Sequence, residues 1–198
     1  EQRQNMMTFI RETSPYNSFI VTHTHAADPD HSELIEPLLG FPHMGGPSLQ
    51  LSPPSKVHEY TRKWIDLSGR ASKQWVVCSD ELGPHWMGVM PDSDDPDHDT
   101  IRKEALWGNL MAGGAGVEYY FGYKFAENDL NCEDWRSRDQ SLDYCRFSID
   151  FFHRQKIPFQ EMSNQNRLVA NPKNGNSCYC FAKPGEIYVV YIASDKLP

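Results

Sequence analysis

The chain lacks a glycine-rich phosphate loop. Neither G-x-G-x-x-G nor G-x-x-x-x-G-K-[ST] follows any of its apolar runs, so a nucleotide-binding sheet loses its usual signature. No apolar run approaches the roughly 18–20 residues of a membrane-crossing helix, which argues against membrane insertion. Basic side chains are in the minority, 19 Lys and Arg against 27 Asp and Glu. The net charge of -8 disfavours a nucleic-acid backbone or an anionic membrane surface as partner. Cysteine is sparse and irregular: five thiols (Cys78, Cys132, Cys145, Cys178, Cys180) with no C-x-x-C pair indicate neither a disulfide scaffold nor a four-cysteine zinc site. Cys178 and Cys180 share a face of one expected strand, a poor geometry for bonding to each other. There are no internal repeats, and the only biased tract is DSDDPDHD at 92–99. That tract lacks the Gly and Glu of a calcium-binding EF-hand loop and reads as a solvated loop. Glu1 stands where a start Met would be and no signal peptide follows, so the expectation is a piece of a longer protein.

Against these absences, helical and strand patterns alternate through most of the chain. Helices are expected at 1–13, 31–39, 55–68 (with Ser55 as N-cap), 101–112 (with Thr100 as cap) and 137–155. A loop with Asp28, Pro29 and Asp30 precedes the second of these. Strands are expected at 19–24, 46–52, 75–81 and 116–122, spaced roughly 30–40 residues apart. A helical segment after each strand predicts a parallel sheet with helices outside it. With no phosphate loop, half of a (β/α)8 barrel suits this better than a doubly wound sheet. After about residue 160 the pattern changes to short strands and turns, among them Asn174-Gly175 and Lys183-Pro184-Gly185-Glu186. CYCFA–KPGE–IYVVYI reads as a hairpin. The fold class expected is therefore α/β, with 1–160 the second half of a (β/α)8 barrel and 161–198 the start of a β-sandwich domain.

The most telling stretch is WVVCSDELGP at 75–84. A β-branched run ends in two carboxylates and is then broken by Gly83 and Pro84, which is how a parallel strand delivers an acid to the rim of a sheet or barrel. Side chains alternate along a strand, so Asp80 and Glu81 are expected on opposite faces, one at the chemistry and one in the scaffold. Strand position alone does not choose between them.

D-E-L-G after an apolar strand is similar to the ending of strand seven in retaining glycosidases of the large cellulase-like clan. Four segments together resemble a group of bacterial, often secreted, glycosidase-like proteins. They are EQRQNMMTFIRETSPYNSFIVTHTH, WVVCSDELGP, RKEALWGNLMAGGAGVEYYFGY, and the run from DLNCEDWRSRD to CYCFAKPGEIYVVYI. Those proteins pair a TIM barrel with a C-terminal β domain labelled collagen-binding. The resemblance implies that the four strands are numbers five to eight of the barrel and that Glu81 is the nucleophile. The general acid/base would lie on strand four, before Glu1. It implies a retaining hydrolase of a poly- or oligosaccharide with no cofactor and no metal, secreted or periplasmic, partnered by the rest of its own barrel or by self-association.

On that reading His23 and His25, on one face of their strand, contact sugar hydroxyls or orient a carboxylate, with structural packing as the plainer role. An H-x-H pair also suits a zinc-dependent hydrolase, though further ligands in the required order are absent. Gln50 is a candidate hydroxyl ligand. Glu118 lies in an apolar strand, where a charge must be paired or turned to the site. Tyr120, with Tyr119 and Phe121, offers a stacking wall or core packing, and Trp86 a platform or surface packing. Arg136 (or Arg138) in EDWRSRD clamps an anionic or hydroxyl-rich substrate or forms a structural ion pair. Beside hydrolysis stands a second function, a non-catalytic carbohydrate- or matrix-binding protein on a degenerate barrel; a metal-dependent hydrolase is the third.

Overall fold

The computed structural model describes residues 1–26, 31–131, 134–171, 173 and 175–193. The expected Asp28–Asp30 loop, Cys132 and Asn174 lie outside the described residues. Helix α1 (Gln2–Thr13) leads into strand β1 (Val21–His23), and α2 (Ser32–Ile35) runs on into a 3-10 turn at Glu36–Leu38. Strand β2 (Gly46–Leu51), α3 (Val57–Arg70), β3 (Cys78–Leu82), a π-helical turn at Thr100–Leu106 continuous with α4 (Trp107–Ala112), and β4 (Gly116–Val117) follow. Helix α5 (Asp139–Arg154) then leads to β5 (Ser163–Asn164), β6 (Cys178–Lys183) and β7 (Ile187–Ile192). No helix among the described residues is long and apolar enough to cross a membrane.

Strands β1 to β4 form one parallel sheet in consecutive order. The chain therefore winds one way. Met7, Ile35 and Leu38, Val57 and Trp64, and Ile101 and Ala105 gather with Leu49, Leu51, Val77 and Leu82 into a single core. Helix α3 shows why: its buried residues Val57, Thr61, Trp64 and Ser68 recur at helical spacing and make one inward-facing stripe, apolar at Val57 and Trp64. Strand β2 is buried along its whole length, as a central parallel strand must be. No closed barrel forms among the described residues.

Three sequence expectations change. Ser55 sits inside a 3-10 turn at Pro54–Lys56, and its carbonyl accepts from Asn176 Nδ2 at 2.8 Å. Thr100 is already helical; Asp99 holds the cap position, and its carboxylate pairs with Arg102 and with Lys103 at 2.7 Å rather than capping. The aromatic strand at 116–122 keeps only Gly116 and Val117 in the ladder, because Tyr120 turns away to pair its carbonyl with Val89 N–H at 2.9 Å.

Strands β5, β6 and β7 form a separate antiparallel sheet, with the hairpin at Lys183–Ile187 where the turn chemistry placed it. Helix α4 packs on it: Met111 and Trp107 join Met162, Tyr179, Phe181 and Val189 in one cluster. Cys178 and Cys180 are both free and buried in β6. Trp107, Tyr191 and Tyr179 stack in sequence at 4.9 and 6.1 Å, and Tyr179 stacks on His58 of α3 at 4.1 Å.

His58 is the polar rivet of this seam. Its Nδ1 donates to the Gly108 carbonyl at 2.8 Å, so Nε2 is the acceptor for Asn166 Nδ2 at 2.9 Å. Burial pushes the imidazole pKa down from 6.5 to about 4, against the opposing pull of the Gly108 carbonyl. In the unfolded chain the ring takes a proton near pH 6.5, so stability is full above that pH and falls until about pH 4. The loss from this one group is about 3 kcal/mol. In urea titrations at pH 7, 5.5 and 4, His58→Gln should lose less stability across the range than the parent by about that amount. Parallel curves for the two proteins would contradict the assignment.

Candidate active site

The pairing of β2 with β3 decides which acid reaches the open face of the sheet. Ser48 pairs with Cys78 and Leu49 with Ser79, but Gln50 pairs with Glu81 and Leu51 with Leu82. Asp80 is therefore an inserted residue, a β-bulge, and the side-chain alternation slips by one beyond it. Leu82 returns to the core beside Leu49 and Leu51, while Glu81 takes the face shared by Ser48, Gln50 and Cys78. Period-two alternation does not hold across a bulge, so it no longer sets the face of Asp80 relative to Glu81. Asp80 stays near Cys78: burial first, then the charges of Asp80 and Glu118, push that thiol up to about 11. Burial and the two carboxylates thus favour the Cys78 thiol over its thiolate.

Glu81, on β3, meets residues from the other three strands of the sheet or the loops that follow them. Gln50 Nε2 donates to Glu81 Oε1 at 2.7 Å. The Gln50 amide is itself fixed, its oxygen accepting from Ala26 N–H at 3.1 Å and its backbone N–H donating to Thr24 Oγ1 at 2.8 Å. His23 Nε2 faces Glu81 Oε2 at 3.4 Å, and His23 Nδ1 meets Ser48 Oγ at 3.0 Å. All three groups are satisfied when the Ser48 hydroxyl donates to Nδ1 and Nε2–H donates to the carboxylate. Tyr120 donates to the Pro84 carbonyl at 2.6 Å, and burial together with the adjacent Glu81 charge pushes its phenol upward. That hydroxyl stays protonated beside the acid, as a donor.

The glutamate is 21% exposed and His23 is 52% exposed. Their ion pair adds little to stability at such exposure. Its value is orientation. Oε1 is committed to a buried amide, while Oε2 faces the half-exposed His23. A carboxylate so fixed is equipped for nucleophilic attack or proton abstraction.

Of the residues singled out in the sequence, Glu81, His23, Gln50 and Tyr120 converge. His25 does not: its side chain is exposed, and its carbonyl accepts from His31 Nε2 at 3.2 Å. Glu118 is exposed, its charge felt at Cys78. Trp86 stands in the loop beyond β3, exposed and edge-on to His85. Arg136 is turned away, in an exposed pair with Asp134 at 2.7 Å. The neighbouring Arg138 is fully buried; it donates to the carbonyls of Val89, Ala126 and Glu127 and lies over the Phe121 ring at 4.4 Å. The acidic loop is also more than solvated surface. Asp92 accepts from buried His98 at 2.7 Å and from Gln140 N–H at 3.1 Å, tying the loop to the start of α5. Among the described residues no three His, Cys, Asp or Glu side chains converge to hold a metal.

Sequence reasoning missed Ser48 and Thr24. Ser48 was findable, since it lies two residues before Gln50 and must share its face; Thr24 acts through a register the sequence does not print. Gln50→Leu would strip Glu81 of its amide donor and leave Ala26 N–H unpaired. The expected cost is about 1–3 kcal/mol in urea unfolding at pH 7; a change within a few tenths would show that water replaces the amide freely. No family model, no curated protein and no solved structure matches this chain.

Proposed function

We propose that this chain carries the nucleophile side of a retaining glycoside hydrolase site acting on a poly- or oligosaccharide. Residues 1–160 would be the second half of a (β/α)8 barrel and 161–198 the opening of a C-terminal β domain. The observation that carries the reading is the grip on Glu81 at the C-terminal edge of a parallel sheet: Oε1 fixed by Gln50, Oε2 facing His23 and Tyr120 alongside. Consecutive strand order with the helices in one core supports the barrel, since a doubly wound sheet reverses its order at a switch point.

In the proposed reaction Glu81 Oε2 attacks the anomeric carbon, forming a glycosyl ester as the bond to the leaving oxygen breaks. That oxygen takes its proton from a second carboxyl group about 5–5.5 Å away. The resemblance assigns this group to the strand before α1. The same group then deprotonates water, which attacks the ester and frees Glu81. Gln50 and His23 act as positioning residues by fixing which oxygen attacks. The mechanism calls for no metal or cofactor.

The test is hydrolysis of a polysaccharide panel by the intact open reading frame and by its folded Glu81→Gln variant. The variant should lose on the order of a thousandfold or more in rate. Equal hydrolysis would remove Glu81 from the chemistry, and binding without cleavage by the parent would turn the reading toward a carbohydrate- or matrix-binding barrel.

A half barrel leaves strand edges unpaired, and Phe9, Phe19 and Val21 are exposed around β1. The 198-residue chain alone should therefore self-associate at micromolar concentration in analytical ultracentrifugation, and Phe19→Ser with Val21→Thr should weaken that association. A cooperative melt from a clean monomer would count against the half-barrel assignment.

A further inference from the structure

Two loops leave the sheet side by side, 83–89 after β3 and 118–124 after β4. They are laced together along their length. Val89 N–H donates to the Tyr120 carbonyl at 2.9 Å, while Tyr123 and Lys124 N–H donate to the Trp86 carbonyl at 3.1 and 3.0 Å. The approach is so close that only glycine fits at two crossing points. Gly88 (φ +58) and Gly122 (φ +64) are left-handed, and a Cβ there would lie 2.5 Å from the Phe121 carbonyl carbon or 2.7 Å from the Trp86 oxygen. Arg138 braces the pair through Phe121 and the Val89 carbonyl.

On this braced backbone three rings stand out to solvent: His85, Trp86 at 42% exposure and Tyr123 at 46%. His85 sits between the other two, its ring 4.9 Å from Trp86 and 5.9 Å from Tyr123. One exposed aromatic is ordinary; three in a chain of contacts on fixed backbone form a patch that a ligand can cover. Rigid aromatic surface also gives contact area with little ordering entropy to lose.

The charge nearby narrows the ligand. Asp80, Glu81 and Glu118 are acidic and outnumber the exposed ammonium of Lys124, which rests over Phe125; Arg136 is paired with Asp134 and Arg138 is buried. Phosphate or carboxylate groups are disfavoured by that balance. A pyranose ring, with a C–H face to stack and hydroxyls at its rim, fits. The patch also adjoins the acid, because Tyr120 bonds to Pro84, two residues before Trp86, and lies against Glu81.

We propose that His85, Trp86 and Tyr123 form a stacking subsite for a neutral glycan, next to the bond that Glu81 attacks; the ligand class rests on the glycosidase reading. The test is native affinity electrophoresis of the full-length protein in gels containing mixed-linkage β-glucan, arabinoxylan or galactomannan, with polygalacturonate as the anionic comparison. Parent and Glu81→Gln should be retarded alike by at least one neutral polymer. Trp86→Ala should bind about tenfold more weakly and Tyr123→Ala several-fold, while Trp135→Ala, exposed outside the patch, should match the parent. Retardation of Trp86→Ala and Tyr123→Ala equal to the parent, of the parent by polygalacturonate alone, or of the parent by none of the polymers overturns the subsite. Hydrolysis measured on the same proteins separates the two ideas. Cleavage lost in Glu81→Gln with binding intact in Trp86→Ala removes the subsite and keeps the nucleophile. Binding lost in Trp86→Ala with cleavage intact in Glu81→Gln does the reverse.

Discussion

The hydrogen bond from Gln50 to Glu81 exists because β3 carries one residue more than β2 over the paired stretch. Without the bulge at Asp80, regular alternation would send Glu81 to the helix side with Ser79 and leave Leu82 on the open face. With it, the leucine fills the core and the acid meets Ser48, Gln50 and His23. The insertion therefore serves the scaffold and the site together, consistent with bulges as devices that re-aim a side chain. Everything else at the rim follows from that choice. Thr24 sets the height of Gln50, Ser48 sets the tilt of His23, and Tyr120 closes the remaining side.

The parts of the fold legible in the sequence were those governed by local rules. Apolar runs at 19–24, 46–52 and 75–81 marked strands, helical spacing marked α1, α3 and α5, and Pro184-Gly185 marked the hairpin. Gln50 was named for its place near a strand's C-terminal end, His23 for the strand face it occupies and Tyr120 as an aromatic on its strand; strand position offered Asp80 and Glu81 alike, and the family resemblance chose Glu81. What stayed hidden depends on register and on contacts between distant segments. The bulge is a relation between two strands, so no window of one strand displays it. Tyr120 leaves its ladder because two glycines in separate loops permit a crossing. Arg136 and Arg138 look equivalent in EDWRSRD; only the carbonyls of Val89, Ala126 and Glu127 decide that Arg138 goes inside.

Charge is arranged in the same way, locally plain and globally informative. The acidic run at 92–99 reads as surface, yet Asp92 is bound to His98 and to the N–H of Gln140. Arg138 donates to three backbone carbonyls and to the Ser137 hydroxyl, and the charges of Asp129, Glu127, Asp92 and Asp94 offset part of its burial. Both devices hold the long connections around β4 in place largely through polar contacts, with Phe121 packed under Arg138, while Trp86 and Tyr123 of those connections stay exposed.

The seam between the two sheets bears on the order in which the chain assembles. His58 and Asn166 are 108 positions apart, and the imidazole has no dry environment until β6 and Tyr179 arrive. Contacts of such separation form late. During synthesis α3 can pack on the growing parallel sheet while this one ring remains wet and able to take a proton. Where the ring has taken up a proton, docking of the antiparallel strands must expel it, which makes that docking step sensitive to acidity in the range below about pH 6.5.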